Sequence, residues 1–252
     1  MWLELQMSDK ISNSSRSNWV KNLLSELKHH LPYGMAAVVA SMVVLRFAPS
    51  SFMEHGHHHC CGGGFFGSFS FFHSLHHLHA IFASATSVLT FRRYSKNLGL
   101  AIFVGFFVPP VFCTLSDILI PYFGGNLIGT TMELHLCALK NPLFFTSAAF
   151  IGIALGLLLS KHSSRNKAGI FHAALASHFL HEFVSALASL AYLGSFGFSG
   201  WWNSPVSVFF LMIAAVLIPC TMSDLIMPIM CARALGINIS DVTGCAYHKC
   251  SK

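Results

Sequence analysis

The sequence predicts an all-α polytopic membrane protein, with six transmembrane helices arranged as two inverted three-helix repeats and both termini in the cytoplasm. Three observations lead to this fold class. First, the 252 residues are 54% hydrophobic and only 10% charged, whereas about a quarter of an ordinary soluble domain is charged. Second, the basic residues fall in alternate connections between the apolar stretches. Third, a nine-residue pattern occurs twice, at residues 113–121 and 220–228.

Six apolar stretches approach or exceed the roughly 20 residues that a helix needs to cross the hydrocarbon core of a bilayer. They cover approximately residues 31–53, 65–91, 98–123, 143–160, 169–193 and 206–230. The chain then divides into a cytoplasmic amphipathic segment (1–30), a first repeat (31–124) with a His-rich outer loop (54–61), an outer connection (125–142), a second repeat (143–230) and a cytoplasmic tail (231–252).

The distribution of basic residues gives the orientation. Lysine and arginine cluster before the first stretch, between the second and third, between the fourth and fifth, and after the sixth. The other connections hold only Lys140 and, at a margin, Arg46. Under the positive-inside rule this predicts both termini on the cytoplasmic side of an inner or plasma membrane. No basic run interleaves with aromatic residues, so the net charge of +6 does not predict a nucleic-acid partner.

The repeated pattern indicates an internal duplication. Residues 113–121 read CTLSDILIP and residues 220–228 read CTMSDLIMP. Three stretches lie between the two copies, so the copies cross the membrane in opposite directions. A His-x-x-His pattern, at 76–79 and 178–181, also occurs in corresponding stretches. Inverted repeats of this kind build the substrate site of many secondary transporters.

Polar residues inside the apolar stretches form the predicted site. An aspartate in a span costs about 2.5–3.5 kcal/mol on insertion scales, so Asp117 and Asp224 are expected to face the bundle interior. Prolines beside both copies predict helices that are distorted or broken near the site. The predicted metal ligands are Cys113, Ser116, Asp117, Cys220, Ser223, Asp224, His76, His79, His178, His181 and Glu182.

Imidazole, thiolate and carboxylate together favour a divalent transition metal, whereas calcium and magnesium prefer oxygen ligands alone. The sequence therefore predicts a transporter that moves zinc, or iron, manganese or nickel, by alternating access. No nucleotide-binding motif is present in the sequence, so an ion gradient, a partner ATPase or the cargo's own gradient is the expected energy source. Protons are candidate coupling ions because metal ligands bind in their deprotonated form. A homodimer in the lipid bilayer is left open.

Two further groups of histidines and cysteines lie outside the spans, one in the first outer loop and one in the C-terminal tail. A flexible His/Cys tract collects soft or borderline cations, so both groups are predicted to capture metal at the two membrane surfaces. For the tail, reactive cysteines on a disordered segment are the alternative. The residues are His55, His57, His58, His59, Cys60 and Cys61 in the outer loop, and Cys245, His248 and Cys250 in the tail.

Two other functions are open. Cys113 and Cys220 are equivalent under the repeat and would serve a transmembrane thiol-disulfide electron relay. This layout is similar to that of the CcdA-like electron-transfer membrane proteins, which also have two inverted three-helix units with one cysteine each. That resemblance leaves Asp117, Asp224 and the histidines unexplained. An integral membrane metalloenzyme, or a haem protein ligated by the paired histidines, is the third hypothesis.

Overall fold

The computed structural model describes Lys28 and residues 31–47, 71–140, 142–163 and 167–236, with the backbone alone at 162–163 and 167–178. Every regular element in these ranges is helical, and they contain no strand. The predicted amphipathic segment at 1–30 lies outside the described residues, except for Lys28. The chain is therefore all-helical over the part that the structure describes.

The helices follow one another with short connections. The longest are α1 (Leu31–Phe47), α2 (Phe71–Tyr94), α3 (Leu98–Thr114), α6 (Pro142–Ser163), α7 (Lys167–Ser195) and α8 (Pro205–Thr221). Shorter elements are α4 (Ile120–Leu127), α5 (Cys137–Lys140), a 3₁₀ turn at Trp201–Asn203 and α9 (Met227–Ala234). Two π-helical segments, πA (Leu115–Leu119) and πB (Met222–Ile226), join α3 to α4 and α8 to α9.

Each predicted stretch overlaps a helix within the described residues, and three helical units are long and apolar enough to cross a membrane. These are Leu98–Leu127, Pro142–Lys161 and Pro205–Ala234, while Leu31–Phe47 is apolar but shorter. The remaining two, α2 and α7, contain many histidines and serines. The structure is thus compatible with a membrane protein. Six crossings, inverted halves and the side on which the termini lie stay predictions.

The most polar helices lie in the centre of the bundle. Helix α2 packs against α3, α6 and α7, and α7 also packs against α8 and πA. Residues 184–194 of α7 are all buried. In contrast α3, α6 and α8 expose large apolar side chains, among them Phe107, Leu158 and Phe210. This is the arrangement expected when lipid, not water, surrounds the outer helices.

Helix α6 approaches the backbone of α2 through two glycines. A Cβ at Gly152 would lie 2.3 Å from the carbonyl oxygen of Ile81, and a Cβ at Gly156 would lie 2.6 Å from that of Ala85. No side chain fits at those distances. This spacing, Gly-x-x-x-Gly, is typical of close helix packing in membranes. It brings Phe145 of α6 against the histidine-bearing face of α2.

The repeated motif folds as a π-helical turn in both copies. The N–H of Ile120 donates to the carbonyl of Leu115, and the N–H of Met227 donates to that of Met222, each five residues back. Pro121 and Pro228 follow directly, and proline lacks the N–H that an α-helical bond to Asp117 or Asp224 would need. The helices are therefore distorted at the motif, as expected, but they are not broken. Such π turns occur frequently at functional sites.

Candidate metal centre

Two histidines from the two central helices face each other inside the bundle. His79 lies on α2 and His181 on α7, and their Nε2 atoms are 2.8 Å apart. Each residue is only 1% exposed. They are the last residues of the two His-x-x-His patterns. The structure thus brings the predicted histidine pair to a common point.

A carboxylate holds each of these rings from the opposite edge. His79 Nδ1 lies 2.7 Å from Asp117 Oδ2, and His181 Nδ1 lies 2.6 Å from Asp224 Oδ2. An ionised carboxylate only accepts hydrogen bonds, so each Nδ1 carries the proton that it donates. The Nε2 atom of each ring then faces the Nε2 atom of the other. Carboxylates in this position orient histidines that ligate metals and increase their basicity.

The cysteines of both motif copies lie beside the histidine pair. The distance to His79 Nε2 is 3.9 Å from Cys113 Sγ and 3.7 Å from Cys220 Sγ. The ligand atoms of His79, His181 and Cys220 all lie within 4.8 Å of one another. We call His79, His181, Cys113 and Cys220 the central cluster.

The imidazoles and thiols of the central cluster are donor types found in zinc sites, and three of the four, His79, His181 and Cys220, have ligand atoms close enough to share one ion. Tetrahedral zinc with metal–nitrogen bonds of 2.0–2.1 Å and metal–sulfur bonds of 2.3 Å places nitrogen and sulfur about 3.6 Å apart, and two nitrogens about 3.3 Å apart. The observed nitrogen–sulfur distances of 3.7 and 3.9 Å agree with this geometry. The two Nε2 atoms, at 2.8 Å, would have to separate by about half an ångström.

Asp117 is surrounded by hydrogen-bond donors. His76 Nδ1 lies 2.9 Å from Oδ2, alongside the contact from His79. Ser116 Oγ and Ser185 Oγ lie 2.7 and 3.2 Å from Oδ1. The ring of His76 is itself stacked between the rings of Phe72 and Phe145. The carboxylate therefore has a donor at each oxygen.

Asp224 has a sparser environment. Among the described residues its one hydrogen-bond partner is His181, and its buried Oδ1 has none. Ser223, the counterpart of Ser116, contacts Ser87 instead: Ser87 Oγ donates to the Ser223 carbonyl at 2.8 Å. The two motif copies are therefore alike in backbone and different in hydrogen bonding.

Glu182 follows His181 on α7 and is 4% exposed. It interacts electrostatically with Cys220, His181 and Asp224. Its Oε2 has no hydrogen-bond partner among the described residues. A Cβ at Gly34 would lie 3.3 Å from this oxygen, so α1 covers the carboxylate closely. The predicted third carboxylate thus lies beside the cluster, under α1.

The remaining predicted residues have different outcomes. The backbone of His178 belongs to α7, but its side chain lies outside the described part. The structure places Asp117 and Asp224 at Nδ1 of the histidines, and direct binding of metal by these carboxylates stays a prediction. The peripheral residues lie outside the described ranges. They are His55, His57, His58, His59, Cys60, Cys61, Cys245, His248 and Cys250.

One site residue was missed by the sequence analysis. Ser185 Oγ contacts Asp117 Oδ1 at 3.2 Å and accepts from Cys220 Sγ at 3.4 Å, so it joins the two motif copies. It lies four residues after His181, which places both on one face of α7. That spacing was a usable signal, but serines are common in the packed interfaces of membrane helices.

Comparison with known proteins adds no relative to this description. No protein-family model, no curated protein and no solved structure matches the chain. The function is therefore inferred from the chemistry of the site.

Proposed function

We propose that this protein is a membrane transporter that moves a divalent transition-metal ion, with zinc as the first candidate, through the central cluster by alternating access. The observation that carries the proposal is the histidine pair. Two carboxylate-held imidazoles direct their Nε2 atoms at each other across 2.8 Å, with two thiols beside them. This donor set lies within a helical bundle whose outer helices are apolar.

The same geometry supports exchange of metal for protons. Two lone pairs at 2.8 Å repel each other, so one proton lies between the Nε2 atoms when no metal is bound. With both aspartates ionised and both thiols protonated, the central cluster together with Asp117 and Asp224 has a net charge of −1. A divalent ion that displaces this proton and one thiol proton leaves the charge at −1. Because a change of charge is costly in a buried site, the favoured exchange is one metal ion for two protons.

Alternating access is supported by the likeness of the two motif copies. Each has a π-helical segment of five residues, an aspartate within it and a proline after it. Each copy contributes one cysteine to the central cluster and one aspartate that contacts a histidine of the cluster. In this proposal the copies belong to inverted halves that move relative to each other, and the cluster opens to one side of the membrane at a time.

The experiment is metal flux into proteoliposomes that contain a metal-sensitive dye and a pH-sensitive dye. We expect zinc uptake into the liposome to be accompanied by the exit of protons from its lumen, with two protons counted per zinc ion. His79→Ala and His181→Ala abolish both signals, whereas the matched control His162→Ala, outside the cluster, retains them. Flux that is unchanged in the His79→Ala/His181→Ala double variant would overturn the proposal.

A thiol-disulfide relay is the second candidate, because both sulfurs lie within 3.9 Å of the same Nε2 atom. In a relay, Cys113 and Cys220 form a disulfide and pass two electrons and two protons to a partner disulfide. Trapping a mixed disulfide at Cys113 in a Cys220→Ser background, without zinc flux in the wild type, would favour this function. The haem hypothesis gains no support, since a bis-histidine haem requires iron and a porphyrin between two Nε2 atoms that are 2.8 Å apart here.

A further inference from the structure

A second group of metal-ligating side chains lies outside the predicted site. His73 on α2, His135 in the connection before α5, and Cys137 at the start of α5 have ligand atoms within 4.8 Å of one another. The Nε2 atoms of His73 and His135 are 2.9 Å apart. We call these three residues the second cluster. It repeats the pairing seen at the central cluster, with a buried cysteine beside two facing imidazoles.

The connection that carries His135 is fixed to the end of α7. Tyr192 Oη donates to the carbonyl of Glu133 at 2.7 Å and accepts from the backbone N–H of His135 at 3.4 Å. The N–H of Glu133 donates to the carbonyl of Phe196, and the ring of His135 stacks on that of Phe196. A ligand whose backbone and ring are both held is preorganised for binding.

Lys140 occupies the other edge of His135. Its Nζ lies 3.3 Å from His135 Nδ1. An ammonium group only donates hydrogen bonds, so Nδ1 of His135 accepts in this contact and carries no proton. While Lys140 donates to Nδ1, the proton of His135 is on Nε2. A metal ion must displace that proton and approach a nearby cation, so Lys140 opposes binding. Lys140 is exposed.

Helix α2 connects the two clusters. His73, His76 and His79 lie on successive turns, and the rise of 1.5 Å per residue puts about 9 Å along the axis between the first and the last. His76 lies between them with Nδ1 on Asp117. Its Nε2 is buried and has no hydrogen-bond partner among the described residues. A third imidazole thus offers a free nitrogen between the two clusters.

We propose that His73, His135 and Cys137 form a second site for a soft or borderline divalent cation, which loads the central cluster by way of His76. Metal binding at the second cluster does not depend on the proposed transport function, whereas the loading step does. Loading is a ligand exchange in which His76 Nε2 replaces one donor of the second cluster before His79 takes the ion.

Cobalt(II) is the probe, because a bound thiolate gives it a charge-transfer band. In a variant that keeps Cys137 and has serine at the other seven cysteines, we expect one equivalent of cobalt to produce the band. His135→Ala removes the band, and His79→Ala leaves it unchanged. Lys140→Met, which removes the opposing cation, tightens cobalt binding about tenfold. A variant that keeps its helical circular dichroism but gives no band overturns the proposal.

A second measurement does not depend on multiple substitutions. The wild type is expected to bind two zinc ions, and both Cys137→Ser and His79→Ala are expected to bind one. Two ions in Cys137→Ser would overturn the second site. Zinc flux separates the two proposals: without flux in the wild type the transport function fails, while the cobalt band still reports on the second cluster. Normal flux in His76→Ala would overturn the loading step.

Discussion

The two copies of the motif have the same backbone and different hydrogen bonding. Asp117 receives contacts from His76, His79, Ser116 and Ser185. Asp224 has His181 as its one described partner, and its Oδ1 is buried without one. A buried polar atom without a partner costs about 1–3 kcal/mol. The duplicated sequence therefore holds one carboxylate in a fixed position and leaves the other free to gain a contact.

This difference assigns separate roles to the two halves. The Asp117 half fixes its histidine, and the Asp224 half contains two unpartnered carboxylate oxygens, on Asp224 and Glu182. If the protein transports metal as proposed, the conformational step is expected on the Asp224 side, where new hydrogen bonds can form without breaking old ones.

The largest expected effect is at the aspartates themselves. Asp117→Asn removes the negative charge that both histidine contacts share and replaces one of the two acceptor oxygens by an NH2 group. We expect metal affinity to fall about 100-fold, at the upper end of the range for residues that support ligands. Asp224→Asn affects one histidine and is expected to cost about tenfold. Calorimetric zinc titration of both purified variants measures the two losses of affinity. Equal losses would remove the difference between the halves.

His76→Ala and His178→Ala test whether the halves differ at the first histidine of each His-x-x-His pattern. His76 donates to Asp117, so its removal should lower zinc affinity about tenfold. His178→Ala is expected to change it less, since Asp224 Oδ1 has no described donor. The same titration applies. A tenfold loss in His178→Ala would show that the second half has its own donor.

Glu182→Gln tests the proposal that the conformational step takes place on the Asp224 side. Because this carboxylate lies beside the cluster and has an unpartnered Oε2, we expect zinc affinity within about threefold of the wild type and a slower flux, by about fivefold, if one hydrogen bond of about 1 kcal/mol is lost from the moving state. Liposome flux and equilibrium binding are measured on the same preparation. Reduced affinity with unchanged flux would assign Glu182 to the ligands instead.

The smallest effect compares Ser116→Ala with Ser223→Ala. Ser116 contacts the Asp117 carboxylate, so its loss should lower zinc affinity about fivefold, equivalent to about 1 kcal/mol. Ser223 pairs with Ser87, and its loss should leave affinity unchanged while lowering thermal stability. A larger effect on affinity from Ser223→Ala would contradict the assignment.

Much of this site follows from strong signals in the sequence. An aspartate in an apolar run must find polar partners inside the bundle, and its recurrence beside cysteine predicted that the two motif copies would share one site. Cys113, Asp117, His79 and their counterparts lie close together, and their binding of a metal stays a prediction.

The hydrogen bonds around each carboxylate did not follow from the sequence. They depend on Ser185 and Ser87, single serines on neighbouring helices that look like ordinary packing residues. The second cluster was missed for another reason. His135 and Cys137 lie in a connection without helical periodicity, and only the contacts of Tyr192 bring that connection back to α2. Pairings between distant segments of this kind have no local signal.

The π turns at Leu115–Leu119 and Met222–Ile226 give each half a spare residue within a continuous helix. If a spare residue passes along the helix, the stretch that it crosses rotates by about 100°, the angle of one residue in an α-helix. An aspartate within that stretch would swing from one side of the helix toward another while the backbone stays hydrogen-bonded. Such a shift would reorient the carboxylate without breaking the helix.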